Sequence, residues 1–195
     1  MRTLFTITLA IAVAAGSARA ADPVQPAWYT KAVKSVEAKI EPAEAKPGQT
    51  VTVKVTVVLT PGHYTYATKQ TDKLAIEYEL MNGVTFPPPG GLVFVGELTD
   101  PPNPKTKAMP EIGVKVLKHY GGTVSFERKA VVAPGQKPGD LVVKIPEFKL
   151  NVCNQNDCFP VKKLPLEATV KVLDGPAVPV DPQYAEELKK ALAPK

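Results

Sequence analysis

Apolar and polar residues alternate along most of this chain, which is typical of β-strands that expose one face to water. The clearest run spans residues 50–59, where valine or leucine at every second position alternates mainly with threonine and lysine. β-branched residues fit the pleated surface of a sheet, so they favour the same assignment. About eight or nine short strands are expected in all. Further strands are predicted at 36–40, 74–80, 92–98, 112–117, 124–132, 141–152 and 164–172.

Turn-forming residues separate these runs at short intervals. Pro61-Gly62 and Asn82-Gly83 each end a predicted strand, and such pairs mark tight turns. The proline-rich block 87–91 cannot lie inside a sheet, because proline lacks the backbone donor. Residues 100–110 hold four prolines and are predicted to form a long surface loop. Short strands with these turns predict an all-β, immunoglobulin-like antiparallel β-sandwich.

The strand-rich region 33–173 is predicted to be the immunoglobulin-like domain, and the chain before it has a different character. Residues 1–20 combine an early arginine, a short apolar run and a small-residue cleavage site, which is the pattern of a secretory signal peptide. An uncleaved anchor is the alternative, but the apolar run is shorter than the ~20 residues that span a bilayer. We therefore expect the protein in the periplasm or otherwise exported, with no membrane span in the mature chain.

The remaining end segments are predicted from composition. Residues 21–32, which contain Trp28, are expected to be an extended lead-in. Residues 174–195 are expected to be a linker and a short carboxy-terminal helix over 182–193, capped by Asp181. The net charge of +5 is spread along the chain without a basic block. We therefore set aside nucleic acid as a partner.

The only two cysteines, Cys153 and Cys158, are separated by four polar, turn-forming residues. Alternating runs on both sides predict a β-hairpin closed by a disulfide, which an oxidising compartment favours. Such a bond can be a structural staple, as most lone disulfides of exported domains are. In the chain-entropy model, however, a loop of about six residues contributes only ~2 kcal/mol, against ~4.7 kcal/mol for a loop of 100. The short loop therefore favours a redox role over a strong staple.

Three stretches, in this chain order, carry a family resemblance. Residues 61–66, Pro-Gly-His-Tyr-Thr-Tyr, are similar to a Gly-aromatic-x-Tyr strand. His119-Tyr120-Gly121 is similar to an aromatic-Tyr-Gly loop tip that caps a disulfide. The cysteine pair is followed by Phe159-Pro160. Together these stretches resemble the amino-terminal (alpha) domain of the DsbD thiol:disulfide interchange proteins, over roughly residues 33–172.

The resemblance implies an immunoglobulin-like module that passes electrons between thioredoxin-like periplasmic oxidoreductases and a membrane electron donor, without a cofactor. It implies that Cys153 and Cys158 are the redox pair and that Cys158 forms the mixed disulfide with partners. Two of the surrounding residues would lie in a loop that shields the pair until a partner displaces it. The implied surround is Tyr64, Tyr66, Phe159 and, in that capping loop, His119 and Tyr120.

The chain departs from the family pattern in two ways. Leu117 and Lys118 stand where a family member carries acidic residues, and His119 replaces its cap phenylalanine. The family's membrane and thioredoxin-like domains are not within these 195 residues. Either those domains are expected as separate proteins, or this domain is expected to serve another task.

The residues leave other functions to be weighed. His63 and His119 could join the cysteines as copper or zinc ligands, but no metal-binding spacing supports this and a disulfide removes the thiolates. No metal and no cofactor are therefore predicted. The runner-up function is a non-enzymatic immunoglobulin-like binding or assembly domain with a structural disulfide. The assignment as a thiol:disulfide oxidoreductase depends on the pair being redox-active.

Overall fold

A computed structural model describes residues 25–193, which form mainly antiparallel β-strands. Residues 1–24, including the predicted signal peptide, and 194–195 lie outside the described part. The helices are α1 (Ala27–Ala32), α2 (Lys73–Glu77) and α3 (Pro182–Leu192), and Pro110–Ile112 forms a 3₁₀ turn. The strands are β1 (Val33–Glu41), β2 (Glu44–Ala45), β3 (Thr50–Leu59), β4 (Tyr64–Tyr66), β5 (Gly83–Thr85), β6 (Leu92–Thr99), β7 (Lys105–Met109), β8 (Val114–Gly121), β9 (Thr123–Val132), β10 (Gly139–Leu150), β11 (Val152–Cys153) and β12 (Lys162–Val172).

Two four-stranded sheets enclose the main core. The first has the order β1-β3-β9-β6 and the second has the order β2-β12-β10-β5, with parallel pairing between β2 and β12. Strand β3 has the alternation expected from the sequence, since Val53 and Val55 are at most 1% exposed. Phe126 of the first sheet meets Phe148 of the second, with ring centroids 5.9 Å apart. The predicted all-β sandwich of mainly antiparallel strands is confirmed.

A third sheet, ordered β11-β4-β8-β7, lies beside the sandwich and has two different faces. Alternation along a strand sends neighbouring side chains to opposite faces. Val152 and Tyr120 accordingly belong to the main core. Cys153 and Tyr66 belong to a smaller cluster on the other face, where α2 contributes Ala75. The second face of this sheet therefore carries Cys153 and Tyr66, two of the site residues predicted from the sequence.

The predicted carboxy-terminal helix is confirmed as α3. Asp181 caps it by accepting a hydrogen bond from the backbone N–H of Gln183 at 3.1 Å, which satisfies a free donor of the first turn. Its residue Leu188 is buried against Val93 and Val95. The Glu187 carboxylate also accepts a bond from a strand N–H. The helix thus packs on the outer face of the first sheet.

The strand predicted over 74–80 was wrong, because a capping side chain starts a helix there. Asp72 accepts hydrogen bonds from the backbone N–H groups of Leu74 and Ala75, at 2.9 and 3.3 Å. The same carboxylate also accepts from two N–H groups of β8. Local capping and docking to a neighbouring strand therefore outweigh the period-two pattern.

Two predicted irregular segments also contain regular structure. The lead-in 21–32 was expected to be extended, but α1 forms in it and buries Ala32 completely. The loop predicted over 100–110 contains β7, because residues 105–109 lack proline and pair with β8. In both places, packing against distant residues decides a conformation that the local pattern leaves open.

Candidate redox site

The two cysteines close a hairpin as a disulfide, as the sequence predicted. Their Cα atoms are 4.0 Å apart. The hydrogen bonds on either side join Asn154 to Asp157 and Phe159 to Val152, so the cysteines occupy a non-hydrogen-bonded pair of the antiparallel ladder. The Asn154 side chain accepts from the backbone N–H groups of residues 156 and 157 at 2.8 and 2.7 Å. This Asx turn explains why polar residues between the cysteines produce the hairpin.

The two cysteines differ sharply in their surroundings. Cys153 ends β11 and is 1% exposed, inside the cluster that also holds Tyr66 and Leu117. Cys158 follows the turn and is exposed. A thiolate from another molecule would therefore reach the sulfur of Cys158, whereas Cys153 is screened by its own fold.

The hydroxyl of Tyr66 lies against the disulfide. Its oxygen is 3.0 Å from Sγ of Cys153 and 3.1 Å from Sγ of Cys158. Sulfurs in a disulfide carry no proton, so the phenol is the donor. Burial, with a smaller contribution from Tyr64, raises the pKa of Tyr66 well above its usual range. The phenol consequently keeps its proton at neutral pH and stays available to the sulfurs.

A buried polar network holds the strand that carries Tyr66. The Asn82 side chain donates to the Thr65 hydroxyl and to the Tyr66 carbonyl, each at 2.7 Å. It accepts from the backbone N–H of Asn151 at 2.8 Å. The Thr65 hydroxyl in turn donates to the Asn151 carbonyl at 2.6 Å. Because these hydrogen bonds join β4 to the residues just before Cys153, they fix the position of Tyr66 relative to the disulfide.

The second predicted tyrosine, Tyr64, faces the same side as Cys153, since the two are paired across β4 and β11. The ammonium of Lys107 donates a hydrogen bond to its hydroxyl and lies 4.5 Å from its ring centroid. The His119 ring is also close, with centroids 4.9 Å apart. Tyr64 therefore lies between Cys153 on the neighbouring strand and two basic side chains, those of Lys107 and His119.

His119 and Tyr120 lie within β8 rather than at a loop tip, so that part of the prediction was wrong. Pairing with β4 on one side and β7 on the other holds them in a strand. Their alternation sends Tyr120 into the main core, where its hydroxyl donates to the Pro101 carbonyl at 2.8 Å. Burial, with a smaller effect of Asp100, raises the pKa of Tyr120 to about 12. Shielding of the disulfide by these two residues stays a prediction.

Phe159 is part of an aromatic stack that the sequence did not reveal. The Trp28 ring lies parallel to it, with centroids 5.0 Å apart and an angle of 6°. His63 lies on the Phe159 ring as well, at 6.0 Å. Trp28 belongs to α1, far from Phe159 along the chain, so no local pattern could indicate the contact. Phe159, the residue after Cys158, thereby packs against helix α1.

An open pocket of about 430 Å³ adjoins the disulfide on the side of Tyr66. Its lining includes the apolar side chains of Tyr78, Leu80 and Val161, and both cysteines. Tyr78 and Val161 are each nearly half exposed.

Two further properties concern only residues 25–193. They contain no group of three or more histidine, cysteine, aspartate or glutamate side chains placed to hold a metal ion. No helix in that range has the length and apolar character needed to cross a membrane.

Comparison with known proteins gives structural likeness only. No family model and no curated protein sequence matches the chain. The chain is similar to the DsbD amino-terminal domain of Neisseria meningitidis in its reduced form, with 15% identity and a TM-score of 0.45, over 73% of this chain and 88% of that one. It is also similar to the amino-terminal periplasmic domain of ScsB from Proteus mirabilis, with 13% identity and a TM-score of 0.41, over 80% of this chain and 51% of that one. The resemblance seen in the motifs is thus found again among solved structures, and at these values it carries no conclusion about activity.

Proposed function

We propose that this protein is a thiol–disulfide interchange module whose redox pair is Cys153 and Cys158. The observation that carries the proposal is the asymmetry of the disulfide. One sulfur belongs to an exposed residue, the other to a buried residue, and one tyrosine hydroxyl lies within 3.1 Å of both. A bond that only staples a hairpin needs neither the exposure nor the hydroxyl.

The chemistry proceeds in two exchanges. A partner thiolate attacks Sγ of Cys158; the Cys158–Cys153 bond breaks, and Cys153 leaves as a thiolate with the electron pair. Tyr66 donates its hydrogen bond to that developing charge. The partner's second thiolate then attacks the partner's other sulfur, which is bonded to Cys158 in the mixed disulfide, and Cys158 leaves as a thiolate. The partner dithiol ends as a disulfide, and the Cys153–Cys158 pair ends reduced with two protons taken from solvent.

The partners that suit this chemistry are thioredoxin-like proteins, which carry two thiols in one accessible motif. Electrons would enter from a membrane donor and leave to periplasmic oxidoreductases, or the reverse. The export pattern in residues 1–20 supports this location, since disulfides form and persist in oxidising compartments outside the cytoplasm. The short loop supports an exchangeable bond.

The direct test is equilibration of the mature protein in graded dithiothreitol buffers, followed by trapping of free thiols. We expect the pair to titrate between oxidised and reduced forms and to be reduced by a thioredoxin-like dithiol protein. Tyr120→Phe is the matched control for the preparation and trapping of a variant protein, because the hydroxyl that it removes donates to the Pro101 carbonyl and not to the disulfide. A pair that stays oxidised against every reductant would refute the proposal.

A second experiment assigns the roles of the cysteines. Cys153→Ala leaves the exposed Cys158. We expect its thiolate to attack the 2-nitro-5-thiobenzoate mixed disulfide of a thioredoxin-like protein that lacks its resolving cysteine, so that 2-nitro-5-thiobenzoate leaves and the two proteins stay linked by a mixed disulfide. Cys158→Ala leaves only the buried Cys153 and should trap much less. Non-reducing gel electrophoresis measures both, and the opposite preference would reverse the assignment.

The alternative function, an immunoglobulin-like binding or assembly domain with a structural disulfide, makes a different prediction. Removal of both cysteines should then lower the free energy of unfolding clearly, with no effect on any thiol partner. The burial of Cys153 in a side-chain cluster is the observation that favours it. Denaturation of the double alanine variant, measured beside the exchange assay, separates the two functions.

A further inference from the structure

An open groove of about 990 Å³ lies beside the disulfide hairpin, and its lining includes Tyr64 and the hairpin residue Gln155. We call it the lysine groove and define it by the side chains that give it its chemistry. These are His63, Tyr64, Lys105, Lys107, His119 and Gln155.

The strand register explains why these side chains share one surface. Residues directly opposite each other on neighbouring strands point to the same face. Tyr66 pairs with His119, which pairs with Lys105 on β7. Tyr64 pairs with Cys153 on β11. Cys153, Tyr64, Tyr66, His119 and Lys105 therefore belong to one face of the third sheet.

The groove leads to the disulfide. Gln155 lies in the turn between the two cysteines and also lines the groove. Lys107 lines the groove and, in addition, a smaller hollow of about 260 Å³ that reaches Cys158. That hollow also contains Glu111 and Asp157, so the unopposed positive charge lies in the groove and not next to Cys158. A chain segment lying in the groove can consequently continue past Lys107 into the hollow at Cys158.

The charge of the groove has one sign. Its lining within residues 25–193 includes two lysines and two histidines and no carboxylate. Elsewhere Lys54, Lys149 and Lys171 are each paired with a glutamate. Neither lysine of the groove forms such a pair with any residue in that range, and Lys107 is held instead by Tyr64. Unpaired cations in a concave surface raise the local concentration of anionic groups.

We propose that the lysine groove docks an acidic segment of the thioredoxin-like partner and thereby brings the partner's thiolate to Cys158. This rests on the proposed function. The groove is open and, at about 990 Å³, far larger than one inorganic anion, so a carboxylate-bearing chain fits it better than a small ion. A docked partner reacts by the same two exchanges, in which its thiolate first attacks Sγ of Cys158 and Cys153 leaves as a thiolate.

The test uses three synthetic hexapeptide thiols as probes, identical except for two aspartates, two asparagines or two lysines at the end remote from the cysteine. Rate constants for mixed-disulfide formation with the oxidised protein are measured in dilute buffer and in 1 M NaCl. We expect the aspartate peptide to react roughly threefold to tenfold faster than the asparagine peptide in dilute buffer. The lysine peptide should react more slowly than both. The differences should largely vanish in 1 M NaCl, where the screening length is about 3 Å.

Matched variants separate the groove from other charges. The rates of the peptides with the uncharged disulfide of 2-mercaptoethanol give the aspartate-to-asparagine ratio that the peptides' own reactivity produces. In Lys105→Gln/Lys107→Gln the ratio measured with the protein should fall close to that reference value. Lys105→Arg/Lys107→Arg should keep the wild-type ratio. So should Lys189→Gln/Lys190→Gln, which removes equal charge from the distant helix α3.

The outcomes distinguish the two proposals. If even the asparagine peptide fails to open the disulfide, the proposed function is wrong. If it opens the disulfide but the rate ratio is unchanged in Lys105→Gln/Lys107→Gln, the docking proposal alone is overturned. Loss of the aspartate advantage in millimolar sulfate at constant ionic strength would assign the groove to small anions and would also overturn it.

Discussion

The main core and the redox site are stabilised by different means. In the core, valines on β3 and the rings of Phe126 and Phe148 pack without polar groups, and the contacts are non-directional. At the site, buried Asn82 and Tyr66 are held by hydrogen bonds of defined direction. Apolar packing tolerates small displacements of its parts, whereas a hydroxyl that must contact two sulfurs does not. The difference predicts that stability and exchange chemistry can be changed separately.

The largest effect is expected from Phe126→Ala in the main core. Truncation of a fully buried phenylalanine costs about 3–5 kcal/mol in the free energy of unfolding, because apolar surface is lost and a cavity remains. Chemical denaturation measures it. Val142→Ala is the control, since that side chain is half exposed and should change little. If Phe126→Ala also changed the exchange rate of the folded fraction, the separation of core and site would be wrong.

Tyr66→Phe should have the next largest effect, and on rate rather than stability. Loss of a hydrogen bond to a developing thiolate costs about 1.5–3 kcal/mol, which slows exchange roughly tenfold to a hundredfold. The measurement is the rate of disulfide opening by dithiothreitol. Tyr120→Phe should leave that rate unchanged, because its hydroxyl bonds to a carbonyl in the other direction. Equal slowing in both variants would show that the hydroxyl contact is not the cause.

Asn82→Ala should affect stability and chemistry together. It removes the hydrogen bonds that Asn82 makes to the Thr65 hydroxyl, the Tyr66 carbonyl and the Asn151 N–H, so we expect a loss of about 1–3 kcal/mol in the free energy of unfolding. It should also change the exchange rate, since the strand that carries Tyr66 loses its support. Gln183→Ala on the exposed start of α3 is the control for removal of an amide. A change in stability with an unaltered rate would mean that the network does not position Tyr66.

The smallest effect concerns pH. Burial, opposed in part by the Leu117 carbonyl and reinforced by Lys107 and Lys105, holds the pKa of His119 below its usual value. As pH falls through the ordinary histidine pKa of about 6.5, the unfolded chain gains this proton before the folded one does. The free energy of unfolding should therefore decrease on acidification across that range, and less so in His119→Gln. Denaturation at pH 7.5 and 5.5 checks it, and identical pH dependence in both proteins would contradict the assignment.

The predictability of the site varied with the range of the interactions involved. The hairpin at Cys153 follows from local turn chemistry, so the sequence sufficed. The helix at 73–77 was missed because Asp72 is satisfied partly by β8, which is distant along the chain. Trp28 was missed because its partner, Phe159, lies on a different element. The loop placement of His119 and Tyr120 failed because strand pairing on both sides overrides the local glycines.

The sequence by itself determined the all-β class, the paired cysteines and the terminal helix, because alternation, turn residues and caps act over a few neighbouring positions. Only the tertiary structure decided which cysteine is buried, which tyrosine meets the sulfurs, and that β7 brings two lysines to the same face. Those features depend on which strands become neighbours and in what register. A shift of one residue in that register would turn each of these side chains to the other face.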